Sequence, residues 1–133
     1  MIRVLLADDH GIVRTILRQI LEKTEDIQVV STASNGQEAV YEAVAHYPNV
    51  AVMDVSMPRM DGVEATKQIR AKCPKTRVLM VSTYDTPYHI HRSIEAGAFG
   101  YILKDVVNRD LVIAVRTIYE GKQYFSQRVV QLI

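Results

Sequence analysis

The sequence predicts an α/β chain folded as a doubly wound (βα)5 sandwich around a five-stranded parallel sheet. Three observations carry that prediction. Short β-rich apolar runs alternate with longer stretches of helical apolar spacing. The runs are apolar almost throughout, as in Val4-Leu5-Leu6-Ala7, Val50-Ala51-Val52-Met53 and Val78-Leu79-Met80-Val81, which suits a sheet covered on both faces. Helix start and stop signals fall between them. Strands that alternate with helices must be parallel, because each helix carries the chain back across the sheet. With 133 residues, the chain is too short for an eight-stranded barrel.

Arg3–Ala7 is the first strand. Ile12, Val13, Ile16, Leu17, Ile20 and Leu21 then form one apolar helical stripe. Ile27–Thr32 is the second strand, and Asn35 with Glu38 has capping-box spacing for the second helix. Val50–Met53 is the third strand, followed by a helix started by Asp61 with Glu64. Arg77–Val81 is the fourth. Thr86-Pro87 reads as an N-cap followed by proline at the first helical position, and Gly97 ends that helix. Phe99–Leu103 is the fifth strand. Asn108 precedes the last long helix, whose stripe is Leu111, Val112, Val115, Ile118 and Tyr119, with Gly121 as its stop. Ser126 to Ile133 reads as the start of another helix, with Ser126 as cap. Its apolar residues Val129, Val130, Leu132 and Ile133 are expected to lie bare or to pack on a partner.

Composition narrows the function classes. Hydrophobic residues are 48% of the chain and charged residues 23%, a globular balance that excludes a disordered or collagenous chain. The net charge of +1 gives no whole-chain basic footprint for nucleic acid. No apolar run approaches the roughly 20 residues a membrane span needs. The first apolar run is too short for a signal peptide. The one cysteine, Cys73, excludes an internal disulfide or a cysteine-based metal cluster. It is expected to be a half-buried, unreactive thiol in a reducing, cytoplasmic setting.

In open α/β sheets, ligands bind beyond the carboxyl ends of the strands. Asp8 and Asp9 follow the first strand, Asp54 the third, Ser82 and Thr83 the fourth, and Lys104 ends the fifth. Each alone would suit a cap, a turn or an ordinary strand end. Together they place three carboxylates, hydroxyls and one ammonium on one edge. Clustered carboxylates repel unless a cation or proton compensates. Hard oxygen ligands with open positions suit Mg²⁺. A carboxylate beside such a metal can act as a nucleophile and form an acyl phosphate. Lys104 then supplies a compact positive charge for phosphoryl oxygens, and Ser82 a hydroxyl.

Four segments carry a resemblance: Leu5-Leu6-Ala7-Asp8-Asp9-His10; Val52-Met53-Asp54-Val55-Ser56-Met57-Pro58-Arg59-Met60-Asp61-Gly62; Val81-Ser82-Thr83; and Ala96 to Asp105. In this order they resemble the receiver domain of bacterial two-component response regulators, over residues 2 to 122. The resemblance implies a flavodoxin-like receiver fold with strand order 2-1-3-4-5. It implies Asp54 as phosphoacceptor and Mg²⁺ as cofactor. Asp9 would be a direct metal ligand and Asp8 would act through water. The Ser56 backbone carbonyl would complete the metal shell, and Lys104 would be the family's lysine. Ser82 and Tyr101 would form the switch, with Tyr101 turning inward once Ser82 moves to the phosphoryl group. Ser56 and Tyr84 fall where side chains tune phosphoryl lifetime.

Asp8-Asp9-His10, the Ala96–Asp105 run and Gly121 to Ser126 further resemble the NarL/FixJ (LuxR-type) transcription regulators. Asp105 stands where many receivers have proline, which removes an expected cis X-Pro bond and is similar to this subfamily's pattern. The resemblance implies a sensor histidine kinase as phosphodonor. It also implies a homodimer favoured by phosphorylation, through the Pro87–Gly121 surface or the first and last helices. Residues 1–122 would be the receiver and 123–133 the start of a linker helix toward an output domain absent here, through which the parent would bind DNA. His10 is expected to line the site entrance, while His46, His89 and His91 have no metal-ligand partner at convincing spacing. Two other classes fit part of this pattern. A Mg²⁺-dependent phosphohydrolase of the haloacid-dehalogenase type needs an acid two residues after its nucleophile, where this chain has Ser56. A phosphate-independent interaction module would have no use for Asp8, Asp9, Asp54 and Lys104 together.

Overall fold

The computed structural model describes every residue from Met1 to Ile133. The elements run β1 (Ile2–Ala7), α1 (Gly11–Glu22), β2 (Ile27–Ala33), α2 (Gly36–His46), β3 (Val50–Met53), α3 (Gly62–Lys72), β4 (Arg77–Ser82), α4 (Pro87–Glu95), β5 (Gly100–Leu103), α5 (Val107–Tyr119), β6 (Tyr124–Phe125) and α6 (Gln127–Leu132). All strands are parallel, in the order β2-β1-β3-β4-β5-β6. The expected order 2-1-3-4-5 is therefore present, extended at one edge by β6. Two residues are too short a run to show a period of two. The pairing also depends on Gly100, where a Cβ would collide with the Tyr124 carbonyl. No helix is long and apolar enough to cross a membrane.

The sheet has a packed core on each face. Leu5, Ala51, Met53, Val78, Met80 and Tyr101 face α2, α3 and α4, while Val4, Leu6, Val52, Leu79, Val81 and Ile102 face α1 and α5. This is the alternation of successive strand residues between two faces. It explains why the strands read as continuous apolar runs. The local signals hold at three helix starts. Asn35 Oδ1 accepts from the Glu38 N–H at 2.9 Å, and Asp61 Oδ1 from the Glu64 N–H at 2.8 Å. Thr86 caps α4 by accepting from the His89 N–H. Gly97 and Gly121, at φ 104° and 94°, adopt the left-handed conformation that ends helices.

Five expectations are corrected. Ile12 and Ile16 do not join the buried stripe of α1; they are 76% and 45% exposed, because a helix buries one stripe, here centred on Leu17 and Leu21. Tyr119 is likewise exposed at the end of α5. Asn108 lies inside α5, because a 3-10 turn at Lys104–Val106 runs directly into that helix. Cys73 is fully buried beneath the end of α3, and burial pushes its thiol up from the ordinary value. Finally, the apolar face of α6 is not bare. Val129 is completely buried against the same core as Tyr101, Leu132 packs beside it, and only Val130 and Ile133 face outward. Ser126 occupies the cap position of α6 but makes no capping bond with its side chain.

Gly62 shapes the segment that carries the third strand-end carboxylate. Its N–H donates to the Val55 carbonyl at 2.8 Å, and a Cβ there would collide with the Asp54 backbone carbonyl. Gly62 and Asp54 are both buried, so the clash has no solvent to relax into. Gly62→Ala is expected to cost about 2 to 3 kcal/mol in a urea titration, an overpacking penalty. A change within about 0.5 kcal/mol would show that the turn yields freely.

Candidate functional site

Parallel strands bring four side chains to one edge of the sheet. Asp8 leaves β1 with its N–H on the Ala33 carbonyl, and Asp54 leaves β3 with its N–H on the Ala7 carbonyl at 2.9 Å. Each carboxylate is thus held by the neighbouring strand. Lys104, at the end of β5, places its ammonium 2.9 Å from Asp8 Oδ2 and 3.2 Å from Asp54 Oδ2. Asp8 and Asp54 are buried and Asp9 is exposed. Oxygens of Asp8, Asp9 and Asp54 and a ring nitrogen of His10 all lie within 4.8 Å of one another. Such a donor set can hold a metal ion.

The electrostatics follow from this crowding. Burial first, and then the Asp8 charge, raise the Asp54 carboxyl from 3.8 to about 6, against the opposing pull of Lys104. Lys104 sees two carboxylates and no second cation. Their attraction outweighs its burial and raises its pKa above the ordinary lysine value. The site is therefore over-supplied with negative charge. A divalent cation or a proton offsets the excess.

A second group lies beside it. Ser82 and Tyr101 are completely buried. The Ser82 hydroxyl oxygen accepts from the Tyr84 N–H at 2.9 Å, and the Tyr101 hydroxyl donates to the Tyr84 carbonyl at 2.6 Å. Tyr84 is thus clasped on both sides of its backbone, while its ring stacks on His89 at 4.2 Å. The Tyr101 ring lies inside in this structure. The Ser56 N–H points at Asp54 Oδ1 at 3.4 Å, and the Ser56 side chain is exposed at the mouth of the site.

Two contributors, Arg14 and Arg128, escaped sequence reasoning, and a third, His10, was placed only in part. His10 does line the entrance, but its Nδ1 also sits 3.1 Å from Asp9 Oδ1 and 3.4 Å from Asp8 Oδ1. Arg14 donates to the Asp8 carbonyl at 2.6 Å and fixes the end of β1. Its position one turn into α1 was the available signal. Arg128 of α6 pairs with Asp85 at 3.1 Å, directly after Tyr84. Nothing local in the sequence marks that contact across 43 residues.

Residues 4–116 match the family profile of the response regulator receiver domain. The chain belongs to the response regulator receiver family. It is 39% identical over 128 residues to the oxygen regulatory protein NreC of Staphylococcus haemolyticus, covering 96% of this chain and 59% of that protein. The receiver thus spans about three-fifths of the length of the curated relatives it matches. Among solved structures it is similar to a LuxR-family two-component response regulator from Aurantimonas sp., with TM-score 0.94 and 33% identity, covering 98% of this chain and 94% of that one. It is also similar to the signal receiver domain of the putative response regulator NarL from Mycobacterium tuberculosis, with TM-score 0.88 and 34% identity, covering 91% and 98% respectively. The receiver is accordingly of the NarL and NreC type, with an acidic pocket able to hold a metal ion.

Proposed function

We propose that this receiver takes a phosphoryl group on Asp54 from a sensor histidine kinase and passes the change to an output surface. The observation that supports it most is the convergence of Asp8, Asp9, Asp54 and Lys104 on one sheet edge. With its carboxyl near 6, Asp54 is mostly ionised at neutral pH and can act as the nucleophile. Its oxygen bonds to phosphorus, the bond from phosphorus to the donor's imidazole nitrogen breaks, and that nitrogen keeps the electron pair. Lys104 holds the reacting oxygens through charge. Asp9, Asp54 and the Ser56 backbone carbonyl are the direct ligands we assign to Mg²⁺, with Asp8 acting through water. When bound, Mg²⁺ neutralises charge that accumulates on the phosphoryl oxygens.

The Ser82 hydroxyl then exchanges the Tyr84 N–H for a phosphoryl oxygen. Tyr101 follows, because it is tied to the same residue. Ser56 and the exposed Tyr84 flank the approach of water and set the lifetime of the phosphoryl group. Residues 1–122 carry this chemistry, and 123–133 begin the connection to an output domain. The Ser126 N–H donates to the Tyr101 carbonyl at 3.2 Å, which ties that segment to the switch. The chemistry is confined to the receiver's own phosphorylation and dephosphorylation, in the cytoplasm. Phosphorylation favours a homodimer through the Pro87–Gly121 surface, where Tyr88 is exposed. In the parent protein, DNA is bound by the output domain under this control.

The test is intact mass after incubation with acetyl phosphate and Mg²⁺. One added phosphoryl group, lost when the metal is chelated, is the expected result. A folded chain that turns over a phosphoester substrate without retaining a phosphoryl group would overturn the reading in favour of a hydrolase.

A further inference from the structure

We propose that His10 is an additional metal ligand, and that it extends this site from Mg²⁺ to first-row transition ions such as Co²⁺. The inference rests on the reading of the acidic pocket as a divalent-ion site. His10 is the one nitrogen donor in a cluster otherwise made of carboxylates. Its Nδ1 lies 3.1 Å from Asp9 Oδ1 and 3.4 Å from Asp8 Oδ1. Two neighbouring corners of an octahedral ion with bonds of about 2.1 Å are about 3.0 Å apart. The His10–Asp9 spacing is that of two ligands on one ion.

The main chain that carries the ring is held in place. The His10 N–H donates to Asp8 Oδ1 at 2.9 Å, and its carbonyl accepts from the Arg14 N–H at 3.0 Å as α1 begins. Its backbone is extended, at φ −99° and ψ 114°, and its ring lies at the mouth of the pocket beside Asp8 and Asp9. The other ring nitrogen is left to solvent, for the side chain is 69% exposed. A ligand at the mouth adds to the oxygen set without displacing Lys104, which engages Asp8 and Asp54 through their other oxygens.

The chemistry separates the ions. Mg²⁺ prefers oxygen and gains little from an imidazole. Co²⁺ and Ni²⁺ accept imidazole readily and bind such mixed sites more tightly than Mn²⁺ does. His10 is therefore a specificity-determining residue for the metal, and a change at His10 alters one ion's affinity and spares the other's.

The test is calorimetric titration of the whole chain, near neutral pH and without phosphodonor, with MgCl₂ and with CoCl₂. The parent is compared with His10→Asn and Asp9→Asn. Asparagine is a good residue at a helix cap and preserves the fold there. The expected result is a Mg²⁺ affinity within about twofold of the parent in His10→Asn and a Co²⁺ affinity weaker on the order of tenfold. Asp9→Asn weakens both. The visible Co²⁺ spectrum of the parent is expected to change on His10→Asn, a readout independent of affinity. Equal Co²⁺ affinities in parent and His10→Asn overturn the inference. So does a parallel tightening of both ions, which would make His10 only an ion-pair partner of Asp9. A parent that binds no Mg²⁺, or binds it independently of Asp9, overturns the underlying reading of the pocket instead.

Discussion

Asp54→Asn is expected to abolish phosphoryl incorporation and to make the metal-free chain more stable by about 2 to 3 kcal/mol at about pH 8. The first effect follows from loss of the nucleophilic oxygen. The second follows from the cost of ionising Asp54 in its folded setting. Burial and the Asp8 charge raise its carboxyl from 3.8 to about 6. The folded chain therefore holds this proton more tightly than the unfolded chain does. The penalty is absent below the unfolded value, grows as pH rises and is complete above about 6. The gap corresponds to roughly 3 kcal/mol at full ionisation. Asparagine keeps the shape and removes the charge, but it also takes one of the two carboxylates from Lys104, which trims the gain. Urea titrations of both chains with chelator present, at about pH 8 and about pH 5, measure this difference. The variant's advantage should shrink as pH falls. A parent with equal stability at both values, matched by the variant, would show that the Asp54 charge is already balanced.

Lys104→Met is expected to act in the opposite direction, costing about 2 to 3 kcal/mol at about pH 8. It leaves Asp8 and Asp54 with no cation between them. Breaking a fully buried ion pair from one side costs about 3 to 5 kcal/mol. The Lys104 side chain is 19% exposed, so water reaches the vacated position and the lower figure applies. The pH dependence isolates the cause. Because the Lys104 pKa is raised, its own contribution is intact below the ordinary lysine value and is lost only at strongly alkaline pH. Across about pH 5 to 8 it stays constant, and any change in the variant comes from the carboxylates. Lowering the pH, or adding Mg²⁺, is expected to restore more stability to Lys104→Met than to the parent. A variant equally destabilised at both pH values would point to lost packing of the lysine stem.

The two variants together make a general point about this site. Its charges are poorly balanced in the absence of a ligand, and stability is given up to hold Asp54 ready. The same crowding makes the pocket receptive to a cation, so function and local instability share one cause.

The legible part of the site was the part carried by strand ends. Once alternation had established parallel strands, Asp8, Asp9, Asp54 and Lys104 had to share one edge, since every parallel strand ends there. The helix caps at Asn35, Asp61 and Thr86 were legible because each is closed within four residues. His10 was adjacent to the acidic pair in sequence, but which way its ring faces depends on how α1 leaves β1. Tyr101 was read as a switch aromatic. That its ring already lies inside depends on the Tyr84 carbonyl, 17 residues away.

Local pattern by itself therefore determined the element types, the parallel sheet, the carboxylate edge and the helix starts. Each of these rests on chain periodicity or on bonds within a single turn. Tertiary structure alone decided four things. Ile12 and Ile16 stay exposed because the sheet can cover only one stripe of α1. Tyr124 and Phe125 become a strand because Gly100 leaves room for the Tyr124 carbonyl. α6 folds back because Val129 finds a place in the core beside Tyr101. The Asp54 carboxyl is raised to about 6 because folding buries it and brings Asp8 beside it from another strand. The physical reason is common to all four. Their energies belong to pairs of groups far apart in the chain, and no single segment carries the information that the partner will be there.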